Sequence, residues 1–112
     1  MDKNLKKLAI YFSADEKRLH FLIPILPIFI TQINQSMVHI TLAHDTNNGT
    51  AFLLLIHKLK GTALTFGAQP ISAEIKLIED QLIHTKKTVS VDLSQLVSTI
   101  YYLNKIYSTS TL

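Results

Sequence analysis

The sequence has no cysteine and only three glycines and three prolines among its 112 residues. Without cysteine, disulfides and thiolate zinc sites are excluded. There is no glycine-rich loop of the kind that binds nucleotide phosphates, and no nucleophile elbow of the hydrolase type. His39 and His44 are five residues apart, not the four that would place two metal ligands on one helical face. The sequence therefore predicts no metal site and no ATP-binding kinase.

Charge is also limited. Eleven lysines and arginines against eight acidic residues leave a net charge of +3. The basic residues are scattered along the chain, whereas a nucleic-acid interface usually gathers them into a patch interleaved with aromatic residues. A small basic nucleic-acid-binding bundle is thus the weakest interpretation, and we expect no nucleic-acid partner.

Long apolar runs are few. The longest covers residues 21–30 and contains Pro24 and Pro27. A membrane-spanning helix needs about 20 apolar residues, and the polar residues that begin at Thr31 end this run too soon. The basic N-terminus is not followed by a signal-peptide pattern. We expect a cytoplasmic protein without membrane insertion, in which the run forms core; a partly exposed patch for self-association or docking is the alternative.

Apolar residues recur at spacings of three and four, which is typical of a helix that buries one face. Polar breaks separate four such stripes. Gly67 is placed to end one helix in the left-handed conformation, and Pro70 suits the first turn of the next. The stripes are Leu26-Ile30-Ile33-Met37-Ile40, Phe52-Ile56-Leu59-Ala63-Phe66, Ile71-Ile75-Ile78-Leu82 and Leu93-Leu96-Ile100-Leu103-Tyr107.

This pattern predicts an all-α protein, namely an antiparallel four-helix bundle with an additional short N-terminal helix. We expect a single domain over residues 1–112. Its N-terminal helices would cover about 3–43, with a break or kink at the two prolines, and the core motif helices about 48–66 and 70–84. A C-terminal helix would cover about 91–107.

His57 is the candidate reactive residue. Residues three and four apart share a helix face, so His57, Lys60, Gly61 and Leu64 lie together, away from the apolar stripe. A neutral imidazole is a good nucleophile near pH 7, and Lys60 supplies a cation for a phosphoryl group. A glycine inside a helix costs about 1 kcal/mol relative to alanine. A bare strip of backbone at Gly61, against which another protein could dock closely, would explain why glycine is present despite this cost.

Glu79 follows the core position Ile78 on the next helix. If the two helices pack antiparallel, its carboxylate can lie beside His57 and accept a hydrogen bond from one ring nitrogen, which fixes the tautomer. Lys76, one turn earlier, could add positive charge. The alternative is that these side chains are ordinary solvent-exposed groups on a helical bundle.

The segment from Ile56 to Glu79 resembles the signature of histidine-containing phosphotransfer (HPt) domains. In that family an apolar or small residue precedes the phospho-accepting histidine, and leucine, lysine and glycine follow after one intervening residue. The family signature then continues with a small polar residue and a small residue, a Gly-Ala pair, an apolar position and a final apolar-acidic pair. The matching residues here are Ile56, His57, Leu59, Lys60, Gly61, Thr62, Ala63, Gly67, Ala68, Ile71, Ile78 and Glu79.

The resemblance implies a phosphocarrier of a two-component phosphorelay and not an enzyme. His57 would accept a phosphoryl group from a receiver-domain aspartate or a sensor histidine kinase and pass it to another receiver. Lys60 would stabilise the phosphate, and Glu79 would orient the imidazole. The chain would bind no cofactor and no metal, because magnesium belongs to the partner receiver.

The receiver docking face would comprise Gly61, Leu64, Leu53, Leu54, Lys58 and Lys76. Leu64 departs from the family pattern, which usually has a small residue there, and makes this face more apolar. The alternative within the same resemblance is a non-catalytic HPt-like bundle that binds and sequesters a receiver or kinase.

Overall fold

The chain folds into helices joined by short turns. The computed structural model describes residues 2–110, and these contain no β-strand. Their six α-helices are α1 (Lys3–Tyr11), α2 (Glu16–Leu22), α3 (Leu26–Asp45), α4 (Gly49–Phe66), α5 (Gln69–His84) and α6 (Ser94–Ser108). Short 3₁₀ turns occupy Ile23–Ile25 and Thr88–Ser90. The prediction of an all-α protein is confirmed.

Helices α3 to α6 contact one another in a closed ring. Helix α3 packs on α4, α4 on α5, α5 on α6, and α6 again on α3. Helix α1 lies against α6 and also contacts α2. Aromatic side chains link the N-terminal segment to this ring. Phe29 of α3 meets Phe12 edge-on at 5.4 Å between ring centroids and Phe66 of α4 at 4.4 Å.

The helix ends follow the local chemistry of the sequence. Gly67 ends α4 with φ of 73°, the left-handed conformation expected of it. Pro70 lies in the first turn of α5. Near Pro24 the backbone keeps right-handed dihedral angles but tightens into a 3₁₀ turn, because proline has no amide hydrogen for a regular α-helical bond. The break or kink predicted at the two prolines therefore takes the form of a 3₁₀ turn, and the N-terminal third contains three helices instead of the expected two.

The apolar run over residues 21–30 is only partly core, so the expectation that it forms core is wrong for five of its ten side chains. The exposed ones are Phe21, Pro24, Ile25, Pro27 and Ile28, because a helix that packs on one side buries one face only. Its other face supplies the buried Leu22, Leu26, Phe29 and Ile30. The helical stretch Glu16–Asp45 is long and apolar enough to cross a membrane by length and composition, and an apolar 18-residue segment of it is 28% buried within the protein.

Tyr11 joins α1 to α6. Its side chain is buried, and the hydroxyl donates to the carbonyl oxygen of Thr99 at 3.0 Å, with Thr99 Oγ1 also at 3.0 Å. Burial raises the pKa of Tyr11 to about 12, although the hydrogen bond with Thr99 acts in the opposite direction. The neutral phenol is therefore favoured in the folded protein.

This burial makes the fold sensitive to alkali. Because the folded pKa lies above the value of 10.0 expected in the unfolded chain, the stabilisation is complete below pH 10 and is lost as the pH rises towards 12. Tyr11→Phe should cost about 1 kcal/mol at pH 8 through the lost hydrogen bond, yet be about 1 kcal/mol more stable than the wild type at pH 12 because no phenol ionises. Urea unfolding at both pH values measures the crossover; a constant difference would contradict it.

Candidate functional site

Helix α4 presents His57 on its outer surface. The helix begins where the side chain of Asn48 accepts the amide N–H of Ala51 at 3.2 Å, and it ends at Gly67. The buried residues Phe52, Ile56, Leu59 and Ala63 face inward, as the stripe predicted. His57 lies between two of these core positions in sequence but about 100° further round the helix from Ile56, so it is exposed.

No other side chain among residues 2–110 binds the imidazole of His57. Within residues 2–110, its ring makes no hydrogen bond and no ion pair. An exposed neutral imidazole keeps a lone pair on one ring nitrogen, which is the requirement for a nucleophile. The ring is accessible to a group brought by another protein.

Lys60 and Glu79 join α4 to α5. The ammonium Nζ of Lys60 donates to both carboxylate oxygens of Glu79, at 3.1 and 3.3 Å. The two side chains are 41% and 37% exposed, so solvent screens the pair. The structure thus brings together two of the three residues that the sequence singled out.

The expected hydrogen bond between Glu79 and His57 is not formed in the structure. The Glu79 carboxylate accepts from Lys60 instead, because a charged ammonium is a stronger donor than a neutral imidazole. The pair also places Glu79 level with Lys60, one helical turn beyond His57 along α4. The ammonium of Lys60 therefore binds the carboxylate of Glu79 and not the imidazole of His57.

Apolar side chains surround His57. Leu53, Leu54 and Leu64 are exposed by 55, 68 and 60%, at positions that share the outer surface of α4 with the histidine. Lys58 and Lys76 are also exposed. Exposed leucines grouped on one helix are typical of a surface that another protein covers.

Gly61 opens this surface further. A Cβ atom added at Gly61 would meet nothing within 4 Å, so packing inside the chain does not require glycine there. The backbone beside His57 is bare, one turn beyond the histidine. Gly61 therefore leaves open surface on the outer side of α4.

A groove between α4 and α5 adds two residues that the sequence did not single out. Its volume is about 610 Å³, and its lining includes Leu53, Glu79, Ile83 and Lys86. Ile83 is 78% exposed. Ile83 comes directly after Leu82, the last apolar position of the α5 stripe, so it points outward. An apolar residue outside the stripe was the feature of the sequence that could have indicated this exposed position. Lys86 lies in the turn after α5, where helical periodicity gives no information.

The other histidines do not form a site. His44 is committed to structure, since Nδ1 contacts Asp45 at 2.8 Å and Nε2 contacts the carbonyl oxygen of Val91 at 2.7 Å. Among the described residues, no group of three or more His, Cys, Asp or Glu side chains is arranged to hold a metal ion.

Comparisons of the chain with models of protein families, with characterised proteins and with solved structures found no match.

Proposed function

We propose that the chain is a histidine phosphotransfer domain of a two-component phosphorelay. The observation that supports it most is the HPt-like segment from Ile56 to Glu79 together with the position of its histidine. His57 is exposed, has no intramolecular partner among the described residues, and lies beside bare backbone at Gly61. A histidine buried in the core would not suit this function, because a receiver could not reach its ring.

The architecture is consistent with that proposal. The ring of contacts from α3 to α6 and the short turns within it fit an antiparallel four-helix bundle, with α1 and α2 as N-terminal additions. All of residues 1–112 would then form one domain.

The transfer requires little of this chain itself. The lone pair of one ring nitrogen of His57 attacks the phosphorus of a receiver aspartyl phosphate. The bond from phosphorus to the aspartate oxygen breaks, its electron pair returns to the carboxylate, and the other ring nitrogen keeps its proton. The reverse step passes the phosphoryl group to the next receiver. The receiver supplies magnesium, so the domain is a phosphocarrier without a cofactor of its own.

The surface around His57 suits a receiver. Leu53, Leu54 and Leu64 offer apolar contacts, while Lys58 and Lys76 place positive charge near the acidic pocket that holds a receiver's magnesium. Lys60 can stabilise the phosphoryl group once it leaves Glu79. We assign the partners as receiver domains or a sensor histidine kinase, without nucleic acid and without membrane insertion, in the cytoplasm.

The direct test is phosphoryl transfer to the purified chain. Receiver domains from the same genome are labelled with radioactive acetyl phosphate, freed of the donor, and mixed with the protein. We expect label that is stable in alkali and labile in acid, as phosphohistidine is. Receivers that bind the chain without transferring label would contradict the proposal.

The second candidate is an HPt-like bundle that sequesters a receiver. It is favoured by the ion pair between Lys60 and Glu79, which leaves the imidazole without an orienting carboxylate and the lysine already neutralised. In that case the chain would bind receivers and slow their output without ever accepting label.

Gly61→Ala should separate folding from docking. Because the added Cβ meets nothing within the chain, alanine should raise the free energy of unfolding by up to about 1 kcal/mol. The same methyl group would obstruct a docked receiver and weaken its binding by about tenfold. Urea unfolding and receiver titration measure the two effects. Unchanged affinity in the stabilised variant would show that docking does not need the glycine.

Glu79→Gln tests whether Glu79 acts through Lys60. The pair is half-exposed, so its loss should cost less than about 1 kcal/mol. With the carboxylate charge removed, Lys60 is free to approach the phosphoryl group, and phosphorylated His57 should hydrolyse more slowly. The phosphohistidine lifetime and the transfer rate are measured together. A slower transfer with an unaltered lifetime would instead support the predicted orientation of the imidazole by Glu79.

A further inference from the structure

Helices α3 and α6 carry almost no charge. Across the 20 residues of α3 and the 15 of α6, the only Asp, Glu, Lys or Arg side chains are Asp45 and Lys105. The 16 residues of α5 carry four. Solvated helix faces normally carry charged side chains, so the two uncharged helices need another explanation.

The two helices also expose apolar surface where they meet. A groove of about 490 Å³ runs between them, and its lining includes Val38 and Thr41 of α3 with Val97 and Tyr101 of α6. Val38, Val97 and Tyr101 are exposed by 68, 47 and 69%. In the ring of helix contacts, this α3–α6 face lies opposite the α4–α5 face that carries His57.

We propose that two copies of the chain pair through the α3–α6 face. Homodimer interfaces are more apolar than the remaining surface, and their cores are depleted in charge. Each copy has a net charge of +3, so two copies meet with least repulsion through a face that lacks charge. An uncharged apolar face is complementary to itself, as a two-fold interface requires.

The face approaches the size that a dimer needs. Helix α3 is about 30 Å long and α6 about 22 Å, and two adjacent helices are about 20 Å wide, which gives a projected area of roughly 500 Å². A stable interface buries about 800 Å² of accessible surface per partner, and side-chain relief makes accessible area larger than projected area.

The single charged residues of α3 and α6, which lie outside the groove lining, favour an antiparallel arrangement of the copies; Asp45 also contacts Nδ1 of His44 at 2.8 Å within its own chain. The side-chain amides of Asn34 and Asn104 bond at 2.9 Å, which places the neighbouring Lys105 at the level of Asn34. Asp45 lies about 16 Å further along α3 at the helical rise per residue. A two-fold axis across the face would therefore bring Asp45 of each copy towards Lys105 of the other. Both His57 faces would stay open to partners.

Sedimentation of the full chain tests the pairing. From about 1 µM to about 1 mM, the wild-type mass should rise towards twice the 12.6 kDa of one chain. Val38→Lys and Val97→Lys should each raise the dimer dissociation constant by at least about 100-fold, because the dimer would bury two unpaired ammonium groups. Leu54→Lys is the matched control, since Leu54 has the same 68% exposure but lies on α4. Its dissociation constant should equal that of the wild type.

Three results would overturn the pairing. The first is a wild-type protein that stays monomeric over the whole range. The second is a dimer that survives both α3–α6 substitutions, which would place the interface elsewhere. The third is a monomer that binds vesicles of phosphatidylglycerol through this face and loses that binding in Val38→Lys. The proposal does not rest on phosphotransfer: Val38→Lys should retain transfer to His57, so the two ideas fail separately.

Discussion

His57→Gln should reduce phosphoryl transfer to the background seen without the domain. Glutamine fills similar space and can still form hydrogen bonds, but its amide nitrogen is not a nucleophile. Because His57 is exposed and its side chain forms no hydrogen bond, ion pair or ring contact among the described residues, the free energy of unfolding should change by less than about 0.5 kcal/mol. Receiver binding should remain, since the surrounding leucines and lysines are unchanged.

The matched control is His20→Gln. His20 is also exposed, but it lies on α2, outside the HPt-like segment. This variant should accept label as the wild type does. Label that persists in His57→Gln, or disappears equally in His20→Gln, would remove His57 from the transfer reaction.

Gly67→Ala should destabilise the fold by about 3 kcal/mol. Gly67 has φ of 73°, where a Cβ atom is strained, and that atom would lie 2.9 Å from the backbone carbonyl oxygen of Phe12. A backbone atom in the turn after α1 cannot move aside as a flexible side chain could. The variant should therefore both strain the end of α4 and push the N-terminal segment away from it.

Gly61→Ala serves as the comparison for Gly67→Ala. The two glycines lie on the same helix and its cap, and the same methyl group is added to each. Urea unfolding should give changes of opposite sign, a gain at Gly61 and a loss at Gly67. A loss of less than about 1 kcal/mol at Gly67 would show that the turn after α1 yields readily.

Helical periodicity predicted the motif helices closely. The expected ranges 48–66 and 70–84 correspond to Gly49–Phe66 and Gln69–His84 in the structure. Their ends were predictable because Gly67 and Pro70 act locally, through backbone conformation and a missing amide hydrogen. The C-terminal helix begins at Ser94, later than the expected 91, because a 3₁₀ turn and extended residues precede it. The N-terminal third, expected as helices over about 3–43, divides into α1, α2 and α3.

The exposure of individual side chains on α2 and α3 could not be read from hydropathy. Phe21 and Phe29 are identical in type, yet one is exposed and the other fully buried. Burial depends on which side of α3 meets α4 and α6 and on which side of α2 meets α1, and the spacing of apolar residues along one helix does not specify these contacts. The groove that Ile83 and Lys86 line also became visible only in the structure, because it forms between α4 and α5 and the turn that follows α5.

His57 shows what the sequence determined by itself. Its type, its helix, its outward direction and its neighbours Lys60 and Gly61 all follow from a repeat of three and four residues and a short motif, since each is a property of one helix. Only the tertiary structure decided the partner of Glu79. Helix α5 places that carboxylate level with Lys60, and the stronger attraction of the ammonium draws it away from the imidazole. The spacing of residues along one helix does not specify the distance between side chains on two packed helices.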